Sequence, residues 1–503
     1  MLQRIHLHQA QPLPLWNAQS SKHIEQAALA TAHQPSLMQR AGLSVAQLAC
    51  AIAPHAQQAW VLCGPGNNGG DGLIAAYTLA QHGLAVWVHW LGHPERSSHD
   101  TLHAWQQARQ APIHWLDTNQ NPALGADDVV IDALLGLGQP PQPSTTNTPL
   151  QQLLQHSYRS PAHALAVDIP TGLDTNHGTW QPGFAPPDNW APHSRHTLSL
   201  LTLKPGLFTG DGHDACGHVW WDALECSSTL QQHPPSAWLN AAPITSQRRH
   251  NSHKGSFGDV LVIGGAQGMA GAAILAACTA LHHGAGRTLL HLLDTNHPGI
   301  AAIPPDVMQP SAYNTRAQLP HATVVCGCGG GSAVEDWLAD VLTLAPRLVL
   351  DADALNAVAR NPALRTTLQA RHARGQGTIL TPHPLEAARL LQRTTAEVQA
   401  QRLLAAQTLA DQLQATIILK GSGSIIASPG CTPHINPTGN ARLAIGGTGD
   451  VLAGLVAARW QASTSSHTTA CHAAWEHGTL ADQWPTSQAL TASALAQAQL
   501  RPI

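Results

Sequence analysis

The chain has 503 residues, a formal net charge of −4, only 11% charged residues and nine cysteines. Single cores stop growing at roughly 250–300 residues, so more than one domain is expected. No basic run supplies the electrostatic footprint of nucleic-acid binding. No stretch of about 18 uninterrupted apolar residues suits a membrane span. The alternating N-terminus lacks a signal-peptide core, so a soluble, cytoplasmic protein is expected. An odd number of irregularly spaced cysteines argues against a disulfide framework.

Residues 60–63 (WVLC) form a short apolar run that ends in GPGNNGGDG at 64–72. Helical spacing follows over 73–81, and 85–90 return to strand character. Residues 129–132 (VVID) read as a buried strand closed by an acid, with LLGLG at 134–138 behind it. A further strand at 163–167 runs into DIPTGLD at 168–174, and 197–203 make another. This rhythm of strand, polar loop and helix predicts a doubly wound α/β sheet. Ligands in such sheets bind where strand carboxyl ends meet loops, so three polar loops after three strand ends are read together as one site.

Between 226 and 253 the pattern lapses into Ser, Gln, Pro and His, which places a boundary near 227–235 and domains at 1–226 and 227–503. A second α/β run opens with HKGSFG at 253–258 and a strand at 260–263. GGAQGMAGA at 264–272 then leads into an Ala-rich helix. Strands at 323–326, 347–350, 377–380 and 416–419 each end in small or polar residues: GCGGG, DAD, TPHP and KGSGS. The most informative stretch is AIGGTGDV at 444–451, followed by an apolar helical pattern over 452–458. Small residues let the backbone wrap an oxyanion, and the N–H groups opening the helix face it. Asp450 closes that loop. A carboxylate beside an anion cradle is electrostatically unfavourable unless it handles a proton, so it reads as a general base beside a phosphate in transfer.

Cys326 and Cys328 read as small apolar residues in a Gly-rich turn. The 32 histidines lack the spacing grammar of a metal site and read mostly as surface or core residues. There are four lysines, Lys22, Lys204, Lys254 and Lys420, so a surviving lysine is expected to be kept for its compact ammonium charge.

HKGSFG, GGAQGMAGAA, CGCGGG, DADALN, TPHPLEAARLL, LKGSGSIIA and NPTGNARLAIGGTGDVLAG resemble, in this order, the ribokinase-like superfamily. Within it they resemble the ADP/ATP-dependent NAD(P)H-hydrate dehydratases. LMQRAG, CGPGNNGGDGLIAA, VIDALLGLG and VDIPTGLD resemble the NAD(P)H-hydrate epimerase domain. The resemblance implies an N-terminal Rossmann-like doubly wound sheet and a C-terminal ribokinase-like α/β/α sandwich. It also implies repair of hydrated NADH and NADPH, by epimerisation of the R and S hydrates and nucleotide-dependent dehydration of the S hydrate.

For the dehydratase, the resemblance implies Asp450 as catalytic base. Ala272, Gly329, His383 and Asp450 would line the hydrate pocket, and Lys420, Gly421, Ser422, Gly423, Ser424 and Gly449 would hold the nucleotide, with Mg²⁺ bridging the phosphates. ADP is favoured over ATP as donor. His383 could alternatively cap the helix that starts near residue 385. For the epimerase, it implies substrate on Asn67, Asn68, Gly69, Gly70 and Asp71, on the loop Gly136, Leu137, Gly138, Gln139, Pro140, Pro141 and Gln142, and on Asp168, the acid/base candidate. Asn68, Asp132 and Thr171 match ligands of K⁺. A homo-oligomer is expected, since subunits of this kind often associate symmetrically.

The sequence departs from the family pattern at Gln39, Arg442 and Ile445. Arg442 could alter donor preference or bind phosphate. The rival reading is a ribokinase-like kinase of a small alcohol or vitamin precursor, carrying a non-catalytic N-terminal binding module.

Overall fold

Successive residues along the central strands are withdrawn from water: Val61 and Leu62, Leu261 and Val262, and Val324 and Val325 are fully buried. Strands buried on both sides are those of a parallel sheet covered on each face. The computed structural model describes residues 2–30, 34–137, 148–243, 249–294, 303–460 and 463–501. The chain forms two compact units, residues 1–6 with 14–237, and residues 7–13 with 238–503. The polar stretch after Cys226 contains a short helix, Ser227–Gln231, and a strand, Ala237–Leu239. Among the described residues, no helix is long and apolar enough to cross a membrane.

The first unit carries an eight-stranded sheet in the order Gln3–Arg4, His218–Asp222, Arg195–Leu200, His163–Val167, Val129–Ala133, Gln58–Cys63, Ala85–Trp90, Ile113–Trp115. All neighbours are parallel except the first pair. Chain order reverses between Gln58–Cys63 and Val129–Ala133, which opens a crevice above their carboxyl ends. Gly64 lies there against the neighbouring loop, and a Cβ on it would sit 1.7 Å from the Leu134 carbonyl oxygen. No larger residue fits.

In the second unit the sheet runs Val307–Met308, Arg287–Leu292, Asp259–Gly264, Thr323–Cys326, Arg347–Leu350, Gly377–Leu380, Thr416–Leu419, Ile425–Ala427, His434–Ile435. It is parallel as far as Thr416–Leu419, Ile425–Ala427 and His434–Ile435 follow antiparallel, and residues 238–239 pair parallel with His434–Ile435. Its reversal falls between Asp259–Gly264 and Thr323–Cys326. The Ala-rich helix Ala270–His282 packs tightly on Thr448–Arg459, because Gly454 lets the second helix approach to where a Cβ would meet the Ala276 carbonyl oxygen at 2.2 Å.

Helix starts differ from the expectation in both units. The helix expected from residue 73 begins at Asn67, and the one expected from residue 452 begins at Thr448. Glycines favour loops on propensity, but the close packing just described overrides that preference. The candidate residues Asn67, Gly449 and Asp450 thereby stand on first helical turns, whose amides have no intrahelical partner, and Asp71 stands one turn further in.

Candidate functional site

The helix Thr448–Arg459 begins behind Gly447, whose φ of 94° suits glycine, and no side chain caps it. The Thr448 hydroxyl donates back to the carbonyls of Leu443 and Ile445, at 2.9 and 3.1 Å, folding the preceding loop under the helix end. His477 Nε2 lies 3.0 Å from the Thr448 carbonyl, and burial lowers this imidazole to about 4. At neutral pH it is an uncharged donor. The helix end thus presents first-turn amides and the positive end of its dipole to one point.

Asp450 stands at that point, half-buried. Burial, together with the Asp351 carboxylate, raises its carboxyl to about 6, against a lowering hydrogen bond from the Cys328 thiol. Ligand atoms of Cys328, Asp351 and Asp450 all lie within 4.8 Å of one another. Lys420 Nζ donates to Asp351 at 2.9 Å and lies 4.0 Å from Glu386. Burial pulls this ammonium down, but Asp351 and Glu386 outweigh it and hold the pKa above its usual value. A Cβ on Gly449 would be 3.3 Å from Lys420 Nζ, so Gly449, Lys420, Asp351 and Asp450 share one pocket.

Behind the loop 420–424, the buried Arg402 guanidinium donates to the carbonyls of Leu419, Lys420 and Gly423, each at 3.4 Å. Gly421 and Gly423 adopt φ of 137° and 60°, and Ser424 Oγ closes on the Gly421 carbonyl at 3.1 Å. Ser422 and Gly421 are exposed at the surface of this loop. Ala272 and Gly329 meet at the sheet reversal, where a Cβ on Gly329 would lie 2.9 Å from Ala272 Cβ.

His383 is the N-cap of the helix Pro384–Leu391. Its Nδ1 accepts from the amides of Leu385 and Glu386, and Glu386 reaches back to the His383 amide at 2.7 Å. The capping alternative is what its side chain does. Burial raises Glu386 to about 7, partly offset by Lys420. Arg442 donates to the Trp484 carbonyl at 3.0 Å and Gln39 completes a capping box with Ser36. Ile445 is exposed.

In the first unit, a cavity of about 380 Å³ opens at the sheet reversal and is lined by Glu25, Asn67, Asn68, Asp71, Gly136, Leu137 and Asp168, among others. Asp168 adopts φ of +70°, a strained conformation for a residue with a side chain. The wholly buried Lys204 fixes it: its ammonium binds Asp168 Oδ1, donates to the Leu200 carbonyl at 2.9 Å and reaches Ser199 Oγ at 3.2 Å. Leu200 N donates to Asp168 at 3.2 Å. Burial lowers Lys204 even beside Asp168. Burial raises Asp71 well above the carboxylate range, and it raises Glu25 as well, in both cases helped by Asp168. Three carboxyls around one ammonium cannot all be ionised cheaply, so the cavity can hold an acid beside a base.

Gly69 and Gly70 do not line this cavity. They allow close packing, since a Cβ would meet the Gly64 carbonyl oxygen at 2.0 Å and Met38 Cε at 2.6 Å respectively. Gly138, Gln139, Pro140, Pro141 and Gln142 lie outside the described residues. Asp132 and Thr171 interlock: the Thr171 hydroxyl and amide donate to Asp132 at 2.7 and 3.0 Å, and Leu134 N donates at 3.2 Å. Asn68 packs on Gly136, and its Nδ2 is buried without a hydrogen-bond partner.

Sequence reasoning missed Asp351, Glu386, Cys328, Arg402, Glu25 and the role of Lys204. Cys328, expected to be merely small and apolar, is a hydrogen-bond partner of Asp450. Asp351 and Glu386 sit within the quoted stretches DADALN and TPHPLEAARLL, and scarcity already singled out Lys204.

An uncapped helix end beside a half-buried carboxylate and a lysine, on the strand ends of an α/β sheet, is the arrangement of an enzyme that handles phosphate. Residues 260–501 match the family model described as NAD(P)H-hydrate dehydratase, and residues 34–206 match that described as YjeF-related protein N-terminus. A bifunctional NAD(P)H-hydrate repair enzyme of Coxiella burnetii is 32% identical, with 84% of each chain covered. One of Escherichia coli is 33% identical over 89% of this chain and 84% of its own. An ADP-dependent (S)-NAD(P)H-hydrate dehydratase of Neisseria meningitidis is 40% identical over 50% of this chain and 86% of its own. The chain belongs to the bifunctional NAD(P)H-hydrate repair enzymes.

Proposed function

We propose that the first unit interconverts the R and S hydrates of NADH and NADPH, and that the second returns the S hydrate to the reduced coenzyme at the expense of ADP. The observation that carries this reading is Asp450, poised at about 6 on the open end of the helix Thr448–Arg459. Hydroxide is a poor leaving group and phosphate a good one. Asp450 takes the proton of the hydrate hydroxyl as that oxygen bonds to the terminal phosphorus of ADP, and the bond to the departing AMP breaks. The amides of Thr448 and Gly449 stabilise the charge on the transferred group. The ring-nitrogen lone pair then expels phosphate, C5 loses a proton, and the C5=C6 bond returns.

Lys420 neutralises the carboxylate of Asp351 and faces the phosphates, while Arg402 shapes the loop of Gly421, Ser422, Gly423 and Ser424 that would take the nucleotide. Ala272 and Gly329 leave room for a flat ring close to the backbone. His383 acts by setting the start of the helix that carries Glu386. A carboxylate oxygen of Asp351 would suit Mg²⁺, which would neutralise phosphate charge and leave Asp450 free as base.

In the first unit Asp168 serves as the acid/base for exchange at C6, helping the hydroxyl leave as water and taking a proton from the water that returns on the other face, and Lys204 positions it. Asn67, Asn68, Asp71, Gly136 and Leu137 surround the substrate. The orphaned amide of Asn68, with its nitrogen and oxygen exchanged, would offer a hard oxygen alongside those of Asp132 and Thr171, a donor set that suits K⁺.

The test supplies separately prepared R and S hydrates with ADP or ATP and follows recovery of the reduced-nicotinamide absorbance. The full chain is expected to repair both, and Asp168→Asn to repair S only. Equal R repair by Asp168→Asn would overturn the first assignment, and no repair of S with either nucleotide would overturn the second.

A further inference from the structure

On the second unit, away from the residues just described, one ring nitrogen each of His434 and His467 and the sulfur of Cys471 lie within 4.8 Å of one another. His434 Nδ1 and His467 Nε2 are 3.0 Å apart. His467 and Cys471 stand four residues apart on one face of the helix Ser466–Asp482. His434 opens the strand His434–Ile435, and three residues before it comes the exposed Cys431. Cys431 lies outside that close triad, on the exposed turn that leads into the strand. In sequence the set reads C-x2-H and H-x3-C, two short pairs of nitrogen and sulfur donors brought together by the fold.

The surroundings orient the donors. His467 Nδ1 pairs with Ser428 Oγ at 2.8 Å, Ser428 pairs with Thr416 Oγ1 at 2.8 Å, and Thr416 donates to Ser466 at 2.7 Å. Ser428 and Thr416 are buried, so this hydroxyl chain fixes the ring and leaves Nε2 for the cluster. His434 has its own hydrogen bond to the Thr432 backbone. A ring held by a fixed partner through one nitrogen while the other faces a cluster is how metal-ligating histidines are oriented.

We propose that Cys431, His434, His467 and Cys471 form a tetrahedral site for a borderline-soft divalent cation, of which Zn²⁺ is the type. Two imidazoles and two thiolates are a closed structural donor set, with no open position for chemistry. Nitrogens bound to one tetrahedral Zn²⁺ stand about 3.3 Å apart, so the rings need part by only a few tenths of an ångström to admit it. The ion would staple the turn after Ile425–Ala427 to the start of the helix Ser466–Asp482. That strand continues directly from the loop 420–424, so the staple would brace the far end of the hairpin that carries it.

The full chain is stripped with chelator, loaded with Zn²⁺, desalted and assayed for metal, and in parallel titrated with Co²⁺. The site requires one equivalent of zinc per chain and a cobalt spectrum with tetrahedral bands and thiolate-to-cobalt charge transfer. Cys431→Ser, an exposed position where folding is not at stake, should cut the charge-transfer intensity and weaken zinc binding at least tenfold. His467→Ala and Cys471→Ala should abolish both, while Cys50→Ser, an exposed cysteine elsewhere, should change neither. Zinc retention equal in wild type, Cys431→Ser and His467→Ala, or a cobalt spectrum without charge transfer, overturns the proposal. A wild-type chain that retains no zinc, leaving the two histidines simply hydrogen-bonded, overturns it equally.

Discussion

Replacing Lys204 by Met keeps most of the unbranched side chain and removes its charge. In the native first unit that ammonium has no exposure to solvent and makes three polar contacts, one of them to Asp168. Asp71 and Glu25 are already raised by their burial and by Asp168. Without the ammonium, Asp168 is left as a nearly buried charge facing two further carboxyls. Breaking a buried pair from one side costs about 3–5 kcal/mol. For a unit of this size each kcal/mol moves the midpoint by about 2–4 °C, so Lys204→Met should lower the first unit's thermal transition by about 6–20 °C. Lys204→Met with Asp168→Asn removes both charges, and Asn tolerates the positive φ of position 168. The double variant should therefore recover most of the loss, giving a coupling of about 3 kcal/mol in calorimetric or urea unfolding. Both variants should lose R-hydrate repair and keep S-hydrate repair. A single variant as stable as wild type, or a double variant no better than the single, would refute the claim that this pair organises the cavity.

Asp450 must be ionised to accept a proton, and its carboxyl is raised to about 6. The kcat/KM for S-hydrate dehydration should therefore fall about tenfold per pH unit below about 6, a limb missing from the pH profile of ADP binding alone. Arg402→Met removes the donors to three carbonyls of the loop 419–423, so KM for ADP should rise about tenfold or more, with a smaller change in kcat. Glu476 is buried, which opposes its charge, but hydrogen bonds from His283 at 3.1 Å and Arg459 at 2.7 and 2.5 Å lower it to about 2. Its stabilisation is present above its ordinary 4.5 and lost as pH falls toward about 2. Glu476→Ala should cost the second unit about 3–5 kcal/mol at pH 7 and much less near pH 2, as read by urea titration.

The strand ends were legible because apolar runs terminate abruptly in Gly, Asp or Pro. His163–Val167, Thr323–Cys326 and Thr416–Leu419 fall where the pattern predicts. Helix starts were not, since the Gly-rich stretches that read as loops run into helices in which Gly69 and Gly454 allow close backbone packing. Asp450 was readable from its loop, but the groups that set its proton affinity, Asp351, Cys328 and Lys420, come from three other strand ends distant in sequence, and nothing in their local spacing ties them to it. Lys204 was marked only by the rarity of lysine, and Glu25 by nothing, as it lies on an ordinary amphipathic helix. The assignment of residues 7–13 to the second unit rests on contacts such as the Ala242 amide with the Gln9 carbonyl at 2.9 Å, which no periodicity encodes.

The most direct test compares Asp450→Asn with wild type in single-turnover repair of S-hydrate by ADP, with ADP affinity measured alongside. The account requires a rate about 10²–10⁴ lower with nucleotide binding little changed. A variant that repairs the hydrate within a few-fold of wild type would contradict it.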